Sequence, residues 1–431
     1  KFNISSEMKA KNLNISDIGL GASKSTPATP TVQASRTFKN PTIQKIYDKW
    51  NKASKKQKAL IVGIPSILLL AIAGLILFQV VTYDPSNKKN LFGLGVDFLE
   101  GGKQNTENNL DAKAPEQPKT FESPLNGVLI DENRVDELKK RRPVAVMVNN
   151  HVAARPQSNL SKADIVYEAL VESGITRYMA IYWSNDVNKV GPIRSARQYY
   201  LEWLSPYDAI YIHDGYASST DPKVDAGGNI YSYGIKSIST QNAWRVYDEG
   251  RVAPHNEYSS ITAAWETAKK NGWDQLPEID SWKFKNDATV ESRGEKTEAS
   301  IVFHQRLRNN GLYDAKWVYE PGSNSYLRYI GGVEDIDHET NKQINAKNVV
   351  LQEMEMTPTY DEKAHIILTT IGKGKATILR DGVVINGTWE KTSRTSRTQF
   401  YDADGAKIEF NRGLIWISVI PSNDGSSDII Q

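Results

Sequence analysis

Along the 431 residues the hydrophobic positions change their spacing four times. Residues 1–58 carry few large apolar side chains and no regular period, and the stretch to about 44 is rich in Ser, Thr, Asn, Lys and Pro, a composition that predicts disorder. From Ala59 to Val81 follows the uncharged run "ALIVGIPSILLLAIAGLILFQVV". At ~1.5 Å per residue about 23 residues cross a hydrocarbon core of roughly 30 Å, so a transmembrane helix is expected over 59–82. Residues 83–124, including "EGGKQNTENNLDAKAPEQPKTFESP", return to polar composition and predict an extracytoplasmic linker. Beyond 125 the pattern becomes that of a folded protein.

This folded portion is expected to comprise an N-terminal and a C-terminal region. In 125–295, "PVAVMVNN" predicts a buried strand, and "DIVYEALVESGITRYMAIYW" a hairpin turning at Ser173-Gly174. That turn would set Leu170 opposite Arg177 and place Glu168, Glu172 and Arg177 on one face. Pro192 would open a helix over "IRSARQYYLEWLS", and an apolar strand from Ala209 to Ile212 would deliver His213 and Asp214. Ser259 or Ser260 would cap a helix over "ITAAWETAKKNGW", closed by Gly272. This succession predicts an α/β N-terminal region with a mixed sheet. In 296–423, short alternating runs with turns at Asp381-Gly382 and Asp404-Gly405 predict a β-rich antiparallel region, sheet-like or barrel-like.

Charge places these regions. The chain through Lys58 holds 12 Lys or Arg against 3 Asp or Glu, while the whole chain is only +2, so everything past the apolar run is net acidic. The lysine-rich flank before residue 59 predicts a cytoplasmic N-terminus and an extracytoplasmic folded portion. The basic pI of about 8.3 then belongs to the tail, facing anionic lipid, and nucleic-acid binding by the folded portion is not expected. With no cysteine, thiolate metal sites, thiol nucleophiles and cysteine lipidation are excluded. None of the six histidines stands at metal-ligand spacing from another, and no motif calls for a cofactor. "GKGKAT" lacks the spacing of a phosphate-binding glycine loop.

The motifs "PVAVMVNNHVAARPQSNLSKADIVYEALVESGITRYMAIY", "KVGPIRSARQYY", "APHN" with Tyr258, and "GTWEKTSRTSRTQFYDADG" through "GLIWISVIP" resemble the YerB family. These are bacterial envelope proteins of unknown function, often described as lipoproteins. The resemblance spans about 142–421 and implies an N-terminal and a C-terminal region but no reaction. Lacking cysteine, this chain departs from the lipidated members, and the helix from Ala59 is expected to anchor it.

Arg194 and Arg197, on one face of the expected helix, suit a phosphate or carboxylate. Asn149, Asn150, His151 and Arg155 follow a strand end, His213 and Asp214 reach a similar position, and His255 and Asn256 join them from just ahead of a helix N-terminus, so together with Arg177, Arg194 and Arg197 they form the expected ligand-binding set. The ligand expected is an anionic envelope component, a lipid-linked or phosphorylated glycan. A second reading is an envelope enzyme, a glycan hydrolase or phosphoryl-glycan transferase, with Glu168, Glu172 or His213 as weak catalytic candidates. Ser195 with His213 as base is weaker still. A third is a protein-interaction module whose arginines are structural ion pairs. Lys391, Arg394 and Arg397, beside Trp389, Phe400 and Tyr401, predict an exposed basic hairpin more readily than a carbohydrate surface.

Overall fold

The computed structural model describes residues 120–247 and 250–431, with Lys52 in isolation. The tail, the apolar run at 59–81 and nearly all of the expected linker lie outside the described residues. Among the described residues no helix is long and apolar enough to cross a membrane.

The centre of the fold is a ten-stranded mixed sheet. Its strands are β1 (Val144–Asn149), β2 (Ile165–Leu170), β3 (Thr176–Tyr182), β4 (Ile210–Ile212), β5 (Lys236–Ser237), β6 (Asn348–Met354), β7 (Gly372–Arg380), β8 (Val383–Lys391), β9 (Gln399–Asp402) and β10 (Ile415–Pro421). In space they run β9-β8-β7-β6-β10-β2-β3-β1-β4-β5. β10 lies parallel to both β2 and β6, so the N-terminal and C-terminal regions share one sheet. β1, β2, β3 and β10 are buried along their whole length, which is why their sequences are nearly continuous apolar runs: both faces of the sheet are covered. A second, antiparallel sheet joins Glu298–Val302, Ala315–Glu320 and Ser325–Ile330 to the last strand, Ser426–Ile430.

The expected α/β N-terminal region is therefore corrected to a β-rich fold, while the expected transmembrane helix falls outside the described residues. Within residues 120–431 the described α-helices are α1 (Glu132–Leu138), α2 (Gln198–Leu204), α3 (Ala226–Ser232) and α4 (Ile261–Lys270), three of seven residues and one of ten. Seven residues make about two turns, too little to roof a sheet of this width. The chain lacks long amphipathic segments between its strands, and irregular loops and the second sheet do the covering instead. Only α4 follows its sequence signals: Ser260 caps it by accepting from the Ala263 N–H, and Gly272 follows it at φ +70°.

Two local expectations change for identifiable reasons. No helix starts at Pro192, because the donors of the next residues are taken by neighbouring segments. Arg194 N–H bonds the Met147 carbonyl, Ile193 N–H that of Glu257 and Ala196 N–H that of Gly215. The chain stays extended through Arg197, and α2 begins only at Gln198. The β2–β3 hairpin turns over five residues, with Ser173 and Gly174 both at positive φ. Leu170 consequently faces Thr176, and Ala169 faces Arg177. A register shift of one residue sends Arg177 to the sheet face opposite Glu168.

In the basic hairpin after β8, expected to be exposed, Lys391 and Arg397 are buried and Arg394 is half-buried. Lys391 donates to the carbonyl of Arg394, Arg394 to Ser205, and Arg397 to the carbonyls of Pro124 and Leu125 while lying 3.6 Å above the Trp282 ring. These cations clamp the start of the fold to the sheet.

Candidate functional site

Beyond the C-terminal ends of β1 and β4, three extended segments meet: 190–197, 213–217 and 255–259. The backbone bonds of 193–196 hold them together, and parallel pairing of Ala196 with Tyr216 and antiparallel pairing of Val190 with Ser259 extend the contact. His151 enters from the loop after β1. Arg245 enters from a two-residue strand paired with Glu257-Tyr258.

The histidines here have defined tautomers. His151 Nδ1 accepts from the Ala153 N–H at 3.1 Å. Asn149 Oδ1 accepts from the His151 N–H at 2.9 Å, which fixes the amide so that its nitrogen donates to His255 Nδ1 at 3.0 Å. Both neutral rings must then carry their proton on Nε2. The two imidazoles stack, centroids 4.4 Å apart and planes within 19°. Neither Nε2 has a partner among the described residues. Burial, then Arg155 and Arg194, lowers the pKa of His151; burial, then His151 and Arg194, lowers that of His255. Near neutral pH the pair is thus uncharged and presents two N–H donors.

Arg194 lies beside both rings. It is half-buried, and among the described residues its guanidinium makes no hydrogen bond and no ion pair within 4 Å. Among the charges around it Asp214 acts most strongly, followed by Arg197, Glu172 and Arg245. Arg245 reaches Glu257 at 2.6 Å and Asp214 at 3.9 Å. Burial, followed by a hydrogen bond and charge from Asp214 and opposed by Arg245, pushes the Glu257 carboxyl up to about 7.

The other expected site residues have structural work. Arg197 forms a two-pronged pair with Glu172, at 2.5 and 2.6 Å. Arg177 is buried and donates to the Ser195 carbonyl at 2.6 Å; burial, then Arg197, lowers its pKa to about 10. Asn150 takes the side chains of Arg155 and Gln157 and donates to Thr176, and Arg155 goes on to the Leu312 carbonyl. His213 uses both nitrogens, on the Gly215 carbonyl and on Ser237, which leaves no base for Ser195. Asn256 is fully buried, between Arg245 and the Val246 carbonyl.

Glu168, a catalytic candidate by sequence, is inaccessible. It meets Arg328 at 2.9 Å, and Thr176 and Trp416 bond it as well. Arg328 also pairs with Asp335 at 2.8 Å and lies over Trp416, Trp317 and Tyr178. This fully buried group joins the second sheet to the first.

Thus Asn149, His151, Arg194, Asp214 and His255 come together, while Arg155, Arg177, Arg197, Asn150, His213 and Asn256 buttress them. Glu257 and Arg245 join the site without having been expected there. Glu257 stands inside "APHNEY", two residues after His255, but the strand partner that brings it in cannot be read from that motif. The His151–His255 contact has no sequence signal at all, being made over 104 residues of chain. No group of three or more His, Asp or Glu among the described residues is placed to hold a metal. The tautomers also work against one here, since a ligating imidazole normally donates its other N–H and both Nδ1 atoms are acceptors.

Residues 130–274 match the family model described as "Protein of unknown function (DUF3048) N-terminal domain", and 303–417 match its C-terminal domain. A Bacillus subtilis (strain 168) protein named "Putative lipoprotein YerB" is 32% identical over 315 residues, which is 73% of this chain and 90% of the relative. The crystal structure of YerB from Bacillus subtilis matches with TM-score 0.61 at 28% identity, covering 72% of this chain and 99% of the other. These similarities show the family: the chain belongs to the DUF3048 proteins, whose function is unknown, and is a homologue of YerB.

Proposed function

We propose that this protein works at the bacterial cell envelope and binds the anionic group of an envelope component, a phosphorylated or lipid-linked glycan. The envelope placement is supported by the relative's description as a lipoprotein. One observation carries the binding reading: Arg194, without a partner of its own among the described residues, stands beside two imidazoles whose proton is held on Nε2. A guanidinium and two neutral N–H donors complement a phosphate or carboxylate.

Charge-assisted hydrogen bonds contribute about 1.5–3 kcal/mol each, so Arg194→Ala should weaken phosphate binding by roughly ten- to a hundredfold. The measurement is calorimetric titration of the full chain with inorganic phosphate and with vesicles containing a polyisoprenyl phosphate. Equal binding by the wild type and Arg194→Ala, or none by either, sinks the reading. The alternative in which the arginines are structural is favoured for Arg197 by its ion pair with Glu172 and for Arg177 by its hydrogen bond to the Ser195 carbonyl. The enzyme reading finds no support in Glu168, Glu172 or His213, whose polar atoms are engaged within the protein.

A further inference from the structure

Exposed aromatic rings are concentrated in the stretch of sequence that supplies Asp214 and Arg245 to this site. Among the described residues they are Tyr216, Tyr231, Trp244, Tyr247 and Tyr360, and all but the last lie between Asp214 and the residues just past Arg245. Large rings left in water, grouped beside polar side chains, mark recognition surfaces.

Tyr216 has a purpose-built seat. Its backbone pairs with Ala196, and its ring stands edge-on to His213 at 6.3 Å. Behind it is Gly227 of α3, where a Cβ would fall 2.4 Å from both Cδ2 and Cε2 of the ring. Any other residue there would push the ring away, although glycine costs a helix about 1 kcal/mol relative to alanine. Held from behind, the ring is still 55% exposed.

Two residues earlier on the same chain is Asp214, with a part-exposed carboxylate beside Arg194. Two residues of chain span at most about 7 Å, the scale of one sugar ring and its substituent. An open aromatic face suits the C–H face of a pyranose, and a carboxylate suits its hydroxyls.

We infer that the site takes an acidic sugar. Tyr216 stacks against the ring, Asp214 accepts from ring hydroxyls, and Arg194 with the two imidazoles holds the phosphate or carboxylate substituent. This rests on the anion-binding reading and specifies its ligand.

The test is calorimetric titration of the full chain with inorganic phosphate, glycerol phosphate, a hexosamine 1-phosphate and a hexuronate. The sugar phosphate is expected to bind about tenfold more tightly than glycerol phosphate, the scale of one aromatic stacking contact. Tyr216→Ala should abolish that difference and leave inorganic phosphate binding intact, Tyr216→Phe should keep it, and Gly227→Val should repeat the alanine result. A wild type that does not prefer the sugar phosphate, or a preference that survives Tyr216→Ala, overturns the inference while Arg194-dependent phosphate binding stands. If no phosphate binds at all, the anion-binding reading fails and this inference falls with it. Tighter binding of the hexuronate than of the sugar phosphate would support the inference and assign the substituent as a carboxylate.

Discussion

Arg197 lies against Glu172 at 2.5 and 2.6 Å, whereas Arg194, three residues earlier, has no such partner among the described residues. Alanine should therefore affect them oppositely. Arg197→Ala leaves a mostly buried carboxylate unpaired and should cost about 1–3 kcal/mol, read from the urea midpoint. Arg194→Ala should leave the midpoint nearly unchanged. It should raise the pKa of His151 and His255 without fully restoring them, because burial is the larger cause of their depression and Arg194 a lesser one. NMR titration of the ring protons reads this directly. The sign for stability follows: both pKa values are lower in the folded state, so as pH falls below about 6.5 the unfolded chain takes up protons first and stability declines. A wild type whose His151 and His255 titrate at or above 6.5 would contradict the site geometry.

Among the elements, the hairpins show where a motif suffices and where it does not. Asp381-Gly382 is legible as a turn, and it joins β7 to β8 with Asp381 at φ +54°. Its carboxylate also accepts from Lys285, Asn324, Asn411 and the Ala288 N–H. Against the cost of burial, these bonds hold its pKa down to about 2. That contribution is present above about 3.8 and is lost as pH falls through about 2. Asp381→Asn, which tolerates the same backbone conformation, should lower stability near neutral pH and flatten its fall between pH 4 and 2, measured by denaturant midpoints. Ser173-Gly174 is equally legible as a turn, but its length is not. The five-residue connection shifts the register by one and separates Arg177 from Glu168. Glu168 finds Arg328 instead, and Arg328→Ala should cost about 3–5 kcal/mol by leaving buried charges unpaired.

For the whole molecule, β10 is decisive. Strand 415–421 sits in mid-sheet, and the strand after it, 426–430, completes the second sheet. The described residues should thus unfold in one cooperative transition, with no separate melting of the segments before and after 295. A chain cut at 295 would leave β2 as an open apolar edge and should aggregate. Two resolved calorimetric transitions within 120–431, or a soluble folded 120–295 fragment, would overturn this view of the fold.

The β-rich character of the C-terminal region, the buried strands, the capped helix at 261–270 and the family were determined by the sequence itself, because period, caps and long ordered motifs are local or collinear signals. Asn149, His151 and Asp214 were read as polar groups at the ends of apolar strands, His255 as preceding a helix, and Arg194 as lying on a helix that does not form. Tertiary structure alone decided which of the arginines stayed available, where Glu257 and Arg245 entered, and that His151 would lie on His255. It also suppressed the helix at Pro192, since the carbonyls of Met147, Gly215 and Glu257 took the donors a helix would have used. Hydrogen-bond partners and strand neighbours drawn from distant segments leave no trace in the spacing of residues along one of them.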